Sequence, residues 1–206
     1  MLLLLAGGVF WTLAYVLIIR RSYLDKCYGM PAVACAANLA WESYYTFVVP
    51  FQGIMLYVSA CWLVLDLIIF SQVVYYIGRE YPNRSSTLLR AFALFSLLVA
   101  GFIIHYSHES LLYPVMSAYA QSLLMSGLFI AMLLNRDSSR GQSIYIGLCR
   151  LFGTLAVSIY LYLAGSFAGL ALMTLLYVVV TLLDMVYVMM LYVQISREGE
   201  KPWERF

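Results

Sequence analysis

Charge is scarce in this sequence: Asp, Glu, Lys and Arg make up 11% of its 206 residues, against roughly 25% in an average soluble domain. Hydrophobic residues make up 64%. A soluble fold of this size would expose a large apolar surface, and such patches drive association, so an ordinary soluble enzyme and a disordered chain are both excluded. The net charge of +2 is small and scattered, which excludes a phosphate-binding surface and with it nucleic acid as a partner. Four cysteines (Cys27, Cys35, Cys61 and Cys149) stand singly, without a CxxC pair, so neither a zinc site nor a disulfide framework is signalled. No DDxxD-type or DxDD-type acid cluster is present, nor an HExxH or GxSxG motif, which removes magnesium-assisted diphosphate ionisation and two common hydrolytic centres. Both lysines, Lys26 and Lys201, fall outside the long apolar stretches, so a retinal Schiff base is excluded as well. No metal and no cofactor are expected.

What is there in abundance is hydrocarbon. A helix of about 20 apolar residues crosses a bilayer, and seven stretches qualify: Leu2–Ile19, Pro31–Val49, Ile54–Ile77, Leu88–His105, Val115–Leu134, Ile144–Leu163 and Leu170–Ile195. The core of the fourth, Ala91–Ile104, is short. The first lacks a basic n-region and a polar start after its small residues, and it reads as a retained span rather than a signal peptide. The expected fold is all-α: a single seven-transmembrane-helix bundle over residues 1–206. Its loops leave no room for a soluble domain.

The basic residues orient it. Arg20, Arg21 and Lys26 lie between spans one and two, Arg79, Arg84 and Arg90 between three and four, Arg136 and Arg140 between five and six, and Arg197, Lys201 and Arg205 in the tail. The loops on the other side, Pro50–Gly53, Tyr106–Pro114 and Ala164–Gly169, contain no Lys or Arg. The positive-inside rule puts the N-terminus outside and the C-terminus in the cytoplasm. This alternation needs an odd number of spans, which supports seven independently of hydropathy.

Glu42, Asp66, Asp184 and Arg150 lie inside predicted spans. A charge at the bilayer centre costs roughly 2.5–3.5 kcal/mol on translocon scales, and such residues face a cavity or a partner. Each of the three carboxyls stands 11 residues from the cytoplasmic end of its span, which at about 1.5 Å per residue puts all three at one level. Arg150 lies nearer the cytoplasmic side, within snorkelling reach of it. Three acids at one depth on three helices suggest a polar chamber. Low dielectric and mutual repulsion there favour one neutral carboxylic acid, a general acid. The plainer alternative is that the carboxyls pair with Arg150 or backbone groups and fix helix packing.

The neighbours fit a chamber. Asn38 precedes Glu42 by one turn, on a face that lets its amide orient the carboxyl. Tyr45 continues that face and Trp41 borders it. Thr181 and Tyr187 flank Asp184 at three-residue spacing, with Tyr177 a further turn away. Aromatic rings on these faces can stabilise a carbocation; most of the 18 tyrosines, 11 phenylalanines and 4 tryptophans read instead as interfacial belt. His105 and His108 in HYSHES read as loop residues, and Gly147, Gly153, Gly165 and Gly169 as packing or loop glycines.

Three segments carry a family resemblance. YGMPAVACAANLAWESYY (Tyr28–Tyr45), SSRGQSIYIGLCRLFGT (Ser138–Thr154) and TLLDMVYVMMLYV (Thr181–Val193), together with the PWERF tail, resemble the membrane-integral terpene cyclases. These are small seven-span proteins of fungal meroterpenoid and indole-diterpene pathways, with bacterial counterparts. The resemblance implies metal-independent, protonation-initiated cyclisation of a prenyl or epoxy-prenyl chain, with Glu42 and Asp184 as the paired acids. Asp66 has no fixed role in the family pattern. The expected partners are an isoprenoid substrate and the lipid bilayer. The chain begins at its first apolar stretch without the polar leader of fungal members, so a bacterial cell membrane is expected, or the endoplasmic reticulum membrane for a fungal source.

Two other functions compete. Small seven-span carriers built from two three-helix repeats use midplane acids for proton coupling, but no repeat relates spans one to three with five to seven, and the Pro-Gln pair of such carriers is absent. A non-catalytic scaffold leaves the carboxyls unexplained.

Overall fold

A computed structural model describes residues 1–108, 114–167 and 169–206. Seven α-helices fill the described residues: α1 (Leu2–Asp25), α2 (Ala32–Ser43), α3 (Ile54–Glu80), α4 (Ser86–Ser107), α5 (Val115–Arg136), α6 (Ile144–Leu163) and α7 (Ala171–Arg197). No strand occurs among them. Helices are the expected form, because a bilayer offers no partner to a backbone N–H or C=O, and each must be satisfied within its own segment.

Six of the helices are long and apolar enough to cross a membrane. The second is the exception. Its α-helical part has 12 residues and continues as a five-residue π-helical turn, Tyr44–Val48. At about 1.5 Å per residue this is shorter than the roughly 30 Å hydrocarbon core. It tolerates the shortfall because it packs against α3, α4 and α5 and buries Ala34, Cys35, Ala36, Asn38, Leu39, Ala40 and Glu42.

The helices form a ring that includes α2. α1 packs on α3 and α6, α6 on α7, α7 on α5, and α3 on α4. Between α4 and α5 the ring is completed by α2. Close approach needs small residues at the crossings. A Cβ on Gly7 would stand 2.6 Å from Val157 Cγ2, one on Gly153 2.8 Å from Trp11 Cδ1, and one on Gly147 2.9 Å from Val188 Cγ2. Gly147 and Gly153 are packing glycines, as expected, and Gly165 and Gly169 take positive φ beyond the end of α6.

Helix ends run past the predicted spans where charged residues find partners. Asp25, the last residue of α1, binds Arg21 and, at 2.9 Å, Arg205, and it accepts from Gly141 N at 2.7 Å. Glu80 closes α3 with an ion pair to Arg136 at 2.6 Å. Arg136 also covers the Tyr28 ring at 4.8 Å, and Ser139 N donates to Glu198 at 2.7 Å. The basic loops and the PWERF tail thus interlock at one end of the bundle. Of the opposite loops, residues 109–113 and 168 lie outside the described residues.

Candidate active site

The four intramembrane ionisable residues are all buried: Glu42 is 2% exposed, Asp66 0%, Asp184 1% and Arg150 1%. They fall into two clusters, the first made of two separate hydrogen-bonded sets.

The first joins α1, α2, α3 and α5. Asp66, near the middle of α3, accepts from Asn38 Nδ2 at 2.6 Å, and the same amide nitrogen donates to the Tyr15 hydroxyl at 2.6 Å. Gln121 of α5 donates to Asn38 Oδ1. The second oxygen of Asp66 has no hydrogen-bond partner among the described residues. Glu42 Oε2 accepts from Ser59 Oγ at 2.6 Å, and that hydroxyl lies 3.1 Å from Thr46 Oγ1. Glu42 and Asp66 are close enough to interact electrostatically, and Tyr15 interacts with both. Asn38 was expected to orient Glu42. Its amide goes instead to Asp66, and a serine one helix away holds Glu42.

Glu42 is the penultimate residue of α2, two residues before the start of the π-helical turn. Such turns recur at functional sites because they offset the side chains that follow. Here the offset gathers an aromatic cluster. Trp41 and Tyr45 lie 4.6 Å apart, and Tyr45 stacks on Phe51 at 4.8 Å and 18°. Trp41 Nε1 donates to Ser117 Oγ of α5 at 2.9 Å. Trp41 also lines a groove of about 610 Å³ between α4 and α5, within the usual size of a small-molecule site.

The second group joins α5, α6 and α7. Asp184, the middle residue of α7, accepts from Arg150 Nη2 at 2.9 Å and from Ser126 Oγ at 2.7 Å. Arg150 Nη2 also reaches Ser126 Oγ at 3.1 Å. The guanidinium lies 4.0 Å from the Phe129 ring centroid and 5.5 Å from that of Tyr187. Arg150 therefore turns inward rather than snorkelling. The α6–α7 crossing is close just before it, at Gly147, where a Cβ would press on Val188 and Tyr187. Arg150 Nε and Nη1 and Asp184 Oδ2 have no hydrogen-bond partner among the described residues.

Of the remaining predicted residues, Tyr187 keeps its ring beside Arg150, while Tyr177 and Thr181 separate from the acids. The Tyr187 hydroxyl donates to Gln142 Oε1 at 2.7 Å. Tyr177 packs edge-on to Tyr119 at 4.7 Å, and Thr181 Oγ1 bonds back to the Tyr177 carbonyl at 2.7 Å. Sequence reasoning missed Tyr15, Ser59, Gln121 and Ser126. The available signal was polarity inside apolar spans. His105 and His108 contact the Tyr44 ring, at 6.1 and 5.6 Å; Glu109 and Ser110 of the same motif lie outside the described residues.

Comparison with known proteins identifies the family. Residues 1–198 match the model of the Pyr4-like transmembrane terpene cyclases. The Pyr4-family terpene cyclase mfmH of Annulohypoxylon moriforme is 29% identical over 164 residues, 74% of this chain and 66% of that protein. Terpene cyclase dpfgB of Gibberella zeae is 31% identical over 156 residues, 73% of this chain and 64% of that protein. Terpene cyclase pyr4 of Aspergillus fumigatus is 29% identical over 160 residues, covering 73% and 65%. The chain spans just under two thirds of the length of these relatives. All three are fungal, which gives the expectation of a bacterial membrane no support. No solved structure matches. The matched residues take in all seven helices and every buried carboxyl described above, and the chain belongs to the Pyr4-like transmembrane terpene cyclases.

Proposed function

We propose that this protein is a membrane-embedded terpene cyclase that starts ring closure by protonating a prenyl or epoxy-prenyl chain. The observation that carries the reading is the burial of four ionisable side chains inside a bundle that has little other charge, an arrangement membrane proteins keep for function. The two groups suit different work. Asp184 is ion-paired with Arg150 through one oxygen, and its Oδ2, unpartnered among the described residues, is the atom that faces a developing carbocation in this reading. Glu42 and Asp66 are buried carboxyls whose charges act on each other, and in such surroundings one acid stays protonated more readily than both ionise. Glu42, beside the Trp41–Tyr45 cluster, is the donor in this reading, and Asp66 tunes it through their mutual charge. Rings at Trp41 and Tyr45 stabilise positive charge through their quadrupoles, and the surrounding hydrocarbon keeps water from the cation until it has cyclised.

The N-terminus lies outside and the basic end faces the cytoplasm, as the positive-inside rule requires. Labelling of single engineered cysteines in each loop with an impermeant maleimide tests this.

The test of function is expression in a host supplied with prenylated and epoxy-prenylated precursors, with products read by mass spectrometry. The unaltered chain yields a cyclised isomer. Glu42→Gln and Asp184→Asn abolish it while still inserting in the membrane. Product formation undiminished in either variant removes that residue from the mechanism.

A further inference from the structure

α4 is the least buried long helix of the bundle: among its residues only Ala93 and Ile104 are buried. Its face toward α5 and the α5 face opposite form the walls of the groove of about 610 Å³, and α2 forms the floor. Small side chains at Ala37, Ser96 and Ala120 leave the space open. Phe95 is 63% and Leu124 42% exposed on the walls, and in a bilayer that exposure is to lipid. An occupant therefore arrives from the hydrocarbon phase and is itself apolar.

The floor is different in kind. It presents the Trp41 ring, beside which Gln121 of the α5 wall leads inward, donating to Asn38, which donates to Asp66. A saturated acyl chain makes no use of an indole face or of an amide chain ending on a buried carboxyl. A polyene does, because positive charge developing along it is stabilised by the ring.

We propose that this groove is the port through which the isoprenoid tail of the substrate leaves the bilayer and the seat that holds that tail, its reacting end extending inward past Trp41 toward Glu42, which does not itself line the groove. Gln121 is the positioning residue that ties the seat to the Asn38–Asp66 pair. The proposal rests on the cyclase reading and adds to it a binding site and a route.

The experiment uses the full chain in nanodiscs with two photoprobes, a diazirine-bearing prenyl alcohol and a diazirine-bearing fatty acid, and maps adducts by mass spectrometry. The prenyl probe marks residues 92–107 and 116–124, and the fatty acid does not compete. Ala120→Trp fills the groove and lowers both prenyl labelling and product by about tenfold, the factor expected of an overpacked site. Gln121→Leu leaves labelling unchanged but lowers product by about tenfold, the loss of one hydrogen bond in a charged network. A merely structural role for Gln121 would move both readouts together. Val178→Trp, on the 52% exposed outer face of α7, changes neither.

Prenyl adducts elsewhere, or equal marking of the groove by the fatty acid, overturn the proposal even when the protein cyclises its substrate. Prenyl labelling confined to the groove in a protein that forms no product supports the seat and counts against the cyclase reading.

Discussion

The Arg150–Asp184 pair makes a quantitative prediction about what holds the bundle together. Both side chains are 1% exposed and bonded at 2.9 Å, so neither charge is relieved by water. Arg150→Met removes the guanidinium, its bonds to Asp184 and Ser126, and its contact with the Phe129 ring. Asp184 then keeps a single hydrogen bond from Ser126 and no compensating charge. Breaking a buried pair from one side costs about 3–5 kcal/mol. For a chain of this size each kcal/mol lowers the melting temperature by about 2–4 °C, so the loss is about 6–20 °C. Replacing both partners, Arg150→Met with Asp184→Leu, removes the orphaned charge and restores at least half of the loss, because apolar substitutes for a buried pair are close to neutral. The assay is thermal unfolding in detergent followed by size-exclusion chromatography, with all variants in the same micelle. The reasoning is refuted if Arg150→Met costs less than about 1 kcal/mol, the value of an exposed pair, or if the two substitutions are additive.

Other consequences follow from single contacts. Ser59→Ala deprives Glu42 of its 2.6 Å hydrogen bond; a bond to a charged or proton-sharing carboxyl is worth about 1.5–3 kcal/mol, so kcat for cyclisation falls by at least about tenfold. Gly29→Ala places a Cβ 2.7 Å from the Gly141 carbonyl oxygen and 3.2 Å from that of Ile18. Backbone cannot yield there as a side-chain tip can, and unfolding in detergent should show a loss of about 1–3 kcal/mol. Glu198 lies beyond the end of α7. Burial opposes its charge, but hydrogen bonds from Ser139 and Gln194 and the Arg205 charge outweigh that and hold its carboxyl below the ordinary 4.5. A depressed folded value contributes stability above the unfolded value and loses it as pH falls through the folded one. The stability gap between the native chain and Glu198→Gln is therefore full above about pH 4.5 and closes under further acidification. A gap that persists at low pH would assign the contact to packing instead.

The helices were legible because backbone in lipid must form helices or a closed barrel, and continuous apolar runs of about 20 residues select the helix. Residues Ile144–Leu163 of α6 match the predicted span at both ends. α1 and α3 run on to Asp25 and Glu80 because those acids are neutralised by arginines distant in sequence, Arg205 of the tail and Arg136 at the end of α5, and hydropathy averaged along one segment is blind to such partners. The brevity of α2 was hidden for the opposite reason. Its composition is apolar enough for a span, but its length is set by the helices around it. At the site, the sequence carried depth and helix face but not which faces meet. Glu42, Asp66 and Asp184 were identifiable as buried acids, whereas the pairing of Asp184 with Arg150, and of Asn38 with Asp66, depends on rotation and approach fixed by Gly147 and by the α2–α3 contact. Ser59, Ser126 and Gln121 carry little signal alone, since a single hydroxyl or amide in a span bonds its own backbone as readily as a neighbour.

Infrared difference spectroscopy of the membrane-reconstituted protein tests the central claim most directly, because a protonated carboxylic acid has a carbonyl band distinct from a carboxylate and sensitive to exchange into D2O. At neutral pH the account predicts such a band, lost in Glu42→Gln or Asp66→Asn and retained in Asp184→Asn, whose partner is Arg150. A spectrum with no protonated acid, or one whose band disappears only in Asp184→Asn, would contradict it.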